Sequence, residues 1–313
     1  MQLQTTQTTE IYHSDLGRIN EVITAFIEAQ DIKHNSAELY ARSLRQFFKW
    51  VSESNLVISQ LAHIDLLKYK NSLLQAGKSS LTVGNYVTAI RRFYEWAEAN
   101  KYYVNIAKSI KNPRRTQSFR KQPLTNTQCT ELINNAKTNG VRDYALISLM
   151  LRTGLRTIEI IRANRQDLKV YNGVRVLWVH GKGRDEKDNF VIISDKVYTP
   201  LMEYLKTCPN VSENEPLFIS ESNNSKGERL TTRTIRQIVK KNLIEIGLNE
   251  KYFTAHSLRH TTAVSILRAG GTIENAQGVL RHSTPATTQI YTHTIKEEQR
   301  LKNATELMLD TQF

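Results

Sequence analysis

Five short motifs in this chain carry side chains that could act together on a phosphodiester. Thr153-Gly-Leu-Arg156-Thr-Ile-Glu159 comes first and His180-Gly-Lys182-Gly183 second. His256-Ser-Leu-Arg259-His260, Leu280-Arg281-His282 and Gln289-Ile-Tyr291-Thr-His293 close the series. A phosphodiester resists nucleophiles because its non-bridging oxygens are negative, and that charge grows in the transition state. Arg156 and Arg259 suit the need, since a planar guanidinium gives parallel donors to phosphate oxygens in a way lysine cannot copy. Fixed donors of this kind carry a large share of a rate enhancement.

Tyr291 is the candidate nucleophile. A phenol of ordinary pKa about 10 attacks poorly at neutral pH, so it needs a nearby base and cationic phosphate donors. The product would be a phosphotyrosyl bond and a free hydroxyl. One phosphoester replaces another of similar energy, so resealing needs no nucleotide and no metal, and no cofactor is expected. His256 and His260 are spaced as a metal pair could be, but the glutamate of a His-Glu-x-x-His motif is missing and no third ligand is evident. His260 and His293 read instead as packing or supporting residues. Gly-Lys-Gly alone is a weak signal; the ordered set is a strong one.

The elements that must position these residues are mainly helices, with one small antiparallel sheet. Residues 1–18 are polar, rich in Thr and Gln, and read as a flexible extension. Residues 19–107 carry the periodicity of a four-helix domain, with helices over about 19–30, 35–53, 64–75 and 79–100. In the second, Tyr40, Leu44, Phe47, Phe48 and Val51 line one face while Arg42, Arg45 and Lys49 project from the other. In the fourth, Val83, Val87, Ile90, Tyr94 and Ala97 face inward and Arg92 outward. These cations form either a solvated face or a stripe that tracks along phosphates. Gly77 and the serine that follows supply a stop and a start between two helices.

Residues 108–122 are a basic linker, including Arg114, Arg115, Arg120 and Lys121 around Pro113, with no acidic residue. Like charges and proline favour an extended segment, read as a strap along a duplex or as a solvated tether. Residues 123–313 form the domain bearing the motifs. It opens with Thr125 as a helix cap, followed by helices over about 126–137 and 143–153. Val174–Val179 and Asn189–Ile193 are strand-like around the glycines of the Lys182 turn. The pattern is helical from Thr231 onward. In the tail, residues 294–313, Leu301, Ala304, Leu307 and Met308 make an apolar face that needs a partner surface.

The order Arg, Lys, His-x-x-Arg, His, Tyr resembles the active site of the tyrosine recombinase (phage integrase) family, and the whole chain resembles its small, two-domain, Xer-like members. The resemblance implies a helical core-binding domain and a mostly helical catalytic domain. It implies that Arg156 and Arg259 bind the scissile phosphate, that His256 and His282 hydrogen-bond it, and that His256 helps accept the proton of Tyr291. Lys182 would protonate the leaving 5′ oxygen, so that a 3′-phosphotyrosyl bond and a free 5′ hydroxyl result, and Glu159, three residues from Arg156 and therefore on the same helical face, would buttress the site. It further implies a homotetramer on double-stranded DNA with inverted half-sites, coupled by exchange of the carboxy-terminal tail, with an accessory protein or second recombinase in some systems. Two positions depart from the family pattern: Ile158 replaces a frequent serine, and Arg281 stands where glycine is common. Arginine would be strained at 281 if the backbone needs positive φ there.

Composition agrees with a polyanionic partner. The formal net charge is +13, which attracts nucleic acid. Cys129 and Cys208 are the only cysteines, in no metal-ligand or disulfide spacing, as suits a reducing cytoplasm. The amino terminus has neither a basic nor an apolar signal region, and no run is apolar for long enough to span a membrane. Two other functions remain open: a type IB topoisomerase-like nicking and resealing enzyme, and an inactive DNA-binding relative. The target site is not legible, nor is the choice among chromosome dimer resolution, mobile-element transfer and inversion.

Overall fold

In the computed structural model, the described residues are 18–114, 122–180, 187–208, 212–282, 288, 289, 291, 295, 296 and 298–301. The chain divides into two compact units, Met1–Ser118 and Phe119–Phe313. Among the described residues, no helix is long and apolar enough to cross a membrane.

Among its described residues the first unit contains four α-helices: α1 (18–28), α2 (His34–Glu53), α3 (His63–Gln75) and α4 (Ser80–Ala99). The periodic apolar positions become its core, with Leu44, Phe47, Phe48 and Val51 of α2 packed against Val83, Val87, Ile90 and Phe93 of α4. Phe26 meets Phe93 edge-on at 5.5 Å between centroids, and Phe47 meets Tyr69 at 5.1 Å. Each such buried ring is worth about 1.5–3 kcal/mol of transfer free energy. The helix boundaries have local causes. Gly77 takes φ 72°, which lets its N–H and that of Lys78 close on Leu74 and Leu73 at 3.0 Å each and end α3. Ser79 then accepts from the Thr82 N–H at 3.2 Å and starts α4. Ala107 and Ile110 also belong to this core.

The second unit is built around α6 (Val141–Thr153), buried along nearly its whole length. Around it pack α5 (Asn126–Asn139), α8 (Asp195–Lys206), α9 (Thr232–Glu245) and α10 (Ala255–Arg268). Thr125 and Gln128 form a reciprocal capping box at the start of α5. The short helices α7 (Thr157–Arg162) and α11 (Ile273–Leu280) also belong to this unit, and residues 288, 289 and 291 are helical. Helix α6 starts at Val141, earlier than the periodicity suggested, because Gly140 at φ 136° lets the chain turn directly from α5.

The sheet has one more strand than expected. Strand β1 (Leu168–Tyr171) pairs antiparallel with β2 (Val174–Val179), and β2 with β3 (Asn189–Ile192), in the order β1-β2-β3. The missed signal is Asn172-Gly173, both at positive φ (47° and 78°), as a two-residue hairpin requires. The strand itself is short and mostly exposed, so its alternation is faint. Of the expected tail helix, residues 295, 296 and 298–301 are helical, with Leu301 exposed. Ala304, Leu307 and Met308 lie outside the described residues.

Candidate active site

Arg156 does not lie inside a helix, as the reading of a shared helical face with Glu159 assumed. It is the extended residue before α7 (φ −75°, ψ 151°), and Glu159 reaches back to it in the manner of a capping box. Glu159 accepts the Arg156 backbone N–H at 2.8 Å and its Nη1 at 2.8 Å. The loop and the guanidinium are thus fixed by one carboxylate. Burial alone would raise the pKa of Glu159, which is 1% exposed. Arg281, the Arg156 N–H and the charges of Arg156 and Arg259 outweigh that and hold it below the usual carboxylate value.

Arg259 projects from α10 into the protein, 2% exposed. Its Nη1 donates to the Gly154 carbonyl and its Nη2 to the Leu280 carbonyl. It therefore ties the turn before Arg156 to the end of α11. Gly154 is left-handed (φ 60°), and a Cβ there would lie 2.6 Å from Leu280 Cδ2, so glycine is needed for both reasons. Burial first, then Arg156 and Arg281, lower the Arg259 pKa to about 10, against the pull of Glu159. It remains a cation at neutral pH.

Tyr291, 1% exposed, has two imidazoles beside it. His260 meets it edge-on (centroids 4.8 Å, planes 73°), and His282 is nearly parallel to it (6.1 Å, 14°). Leu280, Ala263 and Val264 pack around the same ring. Burial raises the Tyr291 pKa, and the charges of Arg259 and Arg156 pull it back. His282 Nδ1 lies 2.9 Å from Thr288 Oγ1, and its pKa falls to about 4 through burial and then the charges of Arg259, Arg156, Arg281 and His256. His260 falls to about 4 through burial and then His256 and Arg268. Both rings are neutral at pH 7, as a hydrogen-bond acceptor or a base must be. His256 is on the exposed side of α10.

The structure therefore gathers Arg156, Glu159, Arg259, His282 and Tyr291 through direct contacts or mutual electrostatics, with His256 acting on both His260 and His282. Sequence reasoning left Arg281 and Thr288 without a role and gave His260 only a general one. Arg281 carried a signal, an arginine in a glycine position. Thr288 carried none. Lys182 and His293 lie outside the described residues. Lys187, a nearby alternative to Lys182, is bound to the Asp167 carboxylate at 2.6 and 2.7 Å. Among the described residues, no group of three or more His, Cys, Asp or Glu is arranged to hold a metal.

The candidate DNA-contacting cations Arg42, Arg45, Lys49, Arg92 and Arg114 are exposed in the first unit. Arg45 donates to Asn20 Oδ1 at 3.3 Å, Lys49 pairs with Glu53 and Arg92 with Glu95. These exposed contacts are weak enough to exchange for phosphate. Arg115, Arg120 and Lys121 lie outside the described residues.

The phage integrase family model matches residues 122–298, and the phage integrase N-terminal SAM-like domain matches residues 19–101. The chain is 30% identical to the tyrosine recombinase XerC of Leptospira interrogans, over 90% of this chain and 91% of that one. It is 27% identical to the tyrosine recombinase XerD of Staphylococcus epidermidis, over 91% and 97%. A solved structure of the XerH site-specific recombinase bound to a palindromic difH substrate has the same fold (TM-score 0.72, 22% identity), over 94% of this chain and 84% of that one. With the catalytic-domain model covering more than half of its length, the chain belongs to the phage integrase family and is a tyrosine recombinase.

Proposed function

We propose that the chain recombines two short DNA sites by transient attachment to Tyr291. The phenol oxygen attacks the scissile phosphorus, the 5′ oxygen departs, and a 3′-phosphotyrosyl bond replaces the phosphodiester. Arg156 and Arg259 neutralise the non-bridging oxygens, and His256 and His282 hydrogen-bond them. His256 takes up the phenol proton, and Lys182 gives a proton to the leaving 5′ oxygen. Attack by the 5′ hydroxyl of the partner duplex reverses the chemistry and seals the exchanged strand. The observation that carries this reading is Tyr291 buried beside two neutral imidazoles within the field of two arginines.

Residues 19–107 act as the core-binding domain, 108–122 as a basic strap and 123–313 as the catalytic domain. A tetramer, coupled through the tail after Tyr291, holds two sites with inverted half-sites together. The DNA-bound state of the XerH neighbour agrees with such a partner. The reaction takes place where chromosomal or mobile DNA is reached, in the cytoplasm.

A nicked suicide duplex resolved on a denaturing gel tests the chemistry. Wild-type protein should trap a covalent adduct. Tyr291→Phe should trap none while shifting the duplex in a native gel almost as well, since one oxygen and little contact area are lost. An adduct with the phenylalanine variant, or none with wild type, overturns the assignment.

A further inference from the structure

Arg281 occupies a backbone position that arginine fits badly. It closes α11 in the left-handed region (φ 54°, ψ 48°), with its own N–H donating to Gly278 at 3.1 Å and that of His282 to Gln277 at 3.2 Å. Such a cap normally takes glycine, because a Cβ is crowded there. The side chain nevertheless goes inward and is 8% exposed. Its Nη2 donates to Glu159 Oε2 at 3.0 Å and its Nη1 to the Val279 carbonyl at 2.6 Å. Nε is buried and has no partner among the described residues.

The result is one buried carboxylate shared by two arginines. Glu159 Oε1 holds the Arg156 guanidinium at 2.8 Å, and Oε2 holds the Arg156 N–H and Arg281. Arg156 opens α7, and Arg281 immediately precedes His282, so the shared carboxylate spans two segments far apart in sequence. Arg259 crosses the same gap separately, from the Gly154 carbonyl to the Leu280 carbonyl. Without Arg281, the Arg259 tie would be the remaining side-chain hydrogen bond, among the described residues, from the end of α11 to the Gly154–Arg156 segment. Glu159, 1% exposed, would lose a charged partner.

We propose that Arg281 is a positioning residue of the recombinase centre: through Glu159 it fixes the segment bearing His282 against Arg156. The proposal rests on the reading of the site as a DNA-cleaving centre. A second cation on the same carboxylate also keeps Glu159 from drawing the Arg156 guanidinium wholly to itself. Arg156 then has donors to turn toward a phosphate.

The test compares wild type, Arg281→Gly, Arg281→Lys, Glu159→Gln and the Gly/Gln double variant. Single-turnover cleavage of the suicide duplex is measured at saturating protein, with half-site affinity and melting temperature alongside. Glycine suits the left-handed backbone, so Arg281→Gly should fold. It should slow cleavage about tenfold or more, the scale of one charge-assisted hydrogen bond, and change affinity less than about twofold. Lysine should recover part of the rate. The double variant should cleave no more slowly than the slower single one, because both single changes break the same contact. Wild-type cleavage by Arg281→Gly, strictly multiplicative defects, or loss of binding in step with cleavage would overturn the tie. Failure of wild type to form an adduct would count against the functional reading alone. The tie would then be decided by melting temperature: coupled losses support it and additive losses overturn it.

Discussion

His260 sets its ring edge-on to Tyr291, 4.8 Å between centroids, with Nε2 buried and lacking a partner among the described residues. Burial first, and then the charges of His256 and Arg268, disfavour a charged imidazole in that place, so the ring stays neutral down to about pH 4. His282, whose ring is nearly parallel to that of Tyr291, is held near the same value by burial and by Arg259, Arg156, Arg281 and His256.

These two depressed values set a pH dependence of stability. Between about 4 and the ordinary histidine value near 6.5, the unfolded chain binds more protons than the folded one, so stability rises with pH across that window. The contribution is fully present above it and lost as pH falls through it, by about 3 kcal/mol at most for each ring. Urea melts of the protein without DNA from pH 7.5 to 4.5 should show the decline, and His260→Asn should flatten it by roughly half. An identical slope in the variant would show that His260 titrates normally.

Gly154→Ala should destabilise the second unit and disturb the site together. A left-handed alanine costs about 1–2 kcal/mol, and its Cβ would strike Leu280 Cδ2, forcing the Arg259 bridge apart. Gly77→Ala, with φ 72° and open space around it, serves as the control and should bear only the backbone cost. Thermal melts and single-turnover cleavage check both. Equal losses for the two variants would remove the steric argument.

Arg259→Lys keeps the charge but loses the planar fork. Cleavage should fall about a hundredfold or more, as for removal of one oxyanion donor (~3 kcal/mol). Stability should fall as well, because lysine cannot bridge the Gly154 and Leu280 carbonyls together. Arg156→Lys should lose cleavage with less effect on stability, since its backbone N–H keeps Glu159. Single-turnover rates near wild type for both would contradict the clamp.

Lys182 and Lys187 should separate on a 5′-phosphorothiolate duplex, whose thiolate leaves without a proton donor. Lys182→Ala should be rescued on it. Lys187→Ala should not, because Lys187 is bound to the buried Asp167 carboxylate, and its loss should cost about 1–3 kcal/mol of stability. Selective rescue of Lys187→Ala would exchange their roles.

The amino-acid sequence by itself determined the parts that depend on local rules. The apolar spacing of α2 and α4, the stop at Gly77, the caps at Ser79 and Thr125, and the order of the candidate catalytic side chains are all written within a few residues of where they act. Helical periodicity and capping need only neighbours along the chain. Strand β1 was hidden because a short exposed strand is defined by its partner β2, though Asn172-Gly173 marked the turn. The geometry at Arg156 also misled, since the extended residue before α7 meets Glu159 through its N–H rather than along a helical face. Sequence flagged Arg281 as strained, and the positive φ is there. That its side chain reaches Glu159, that Arg259 clasps two carbonyls, and that His260 and His282 pack beside Tyr291 were decided only by tertiary structure. Those contacts join segments brought together by packing around α6 and α10, and their burial sets the charge states that no list of neighbours along the chain contains.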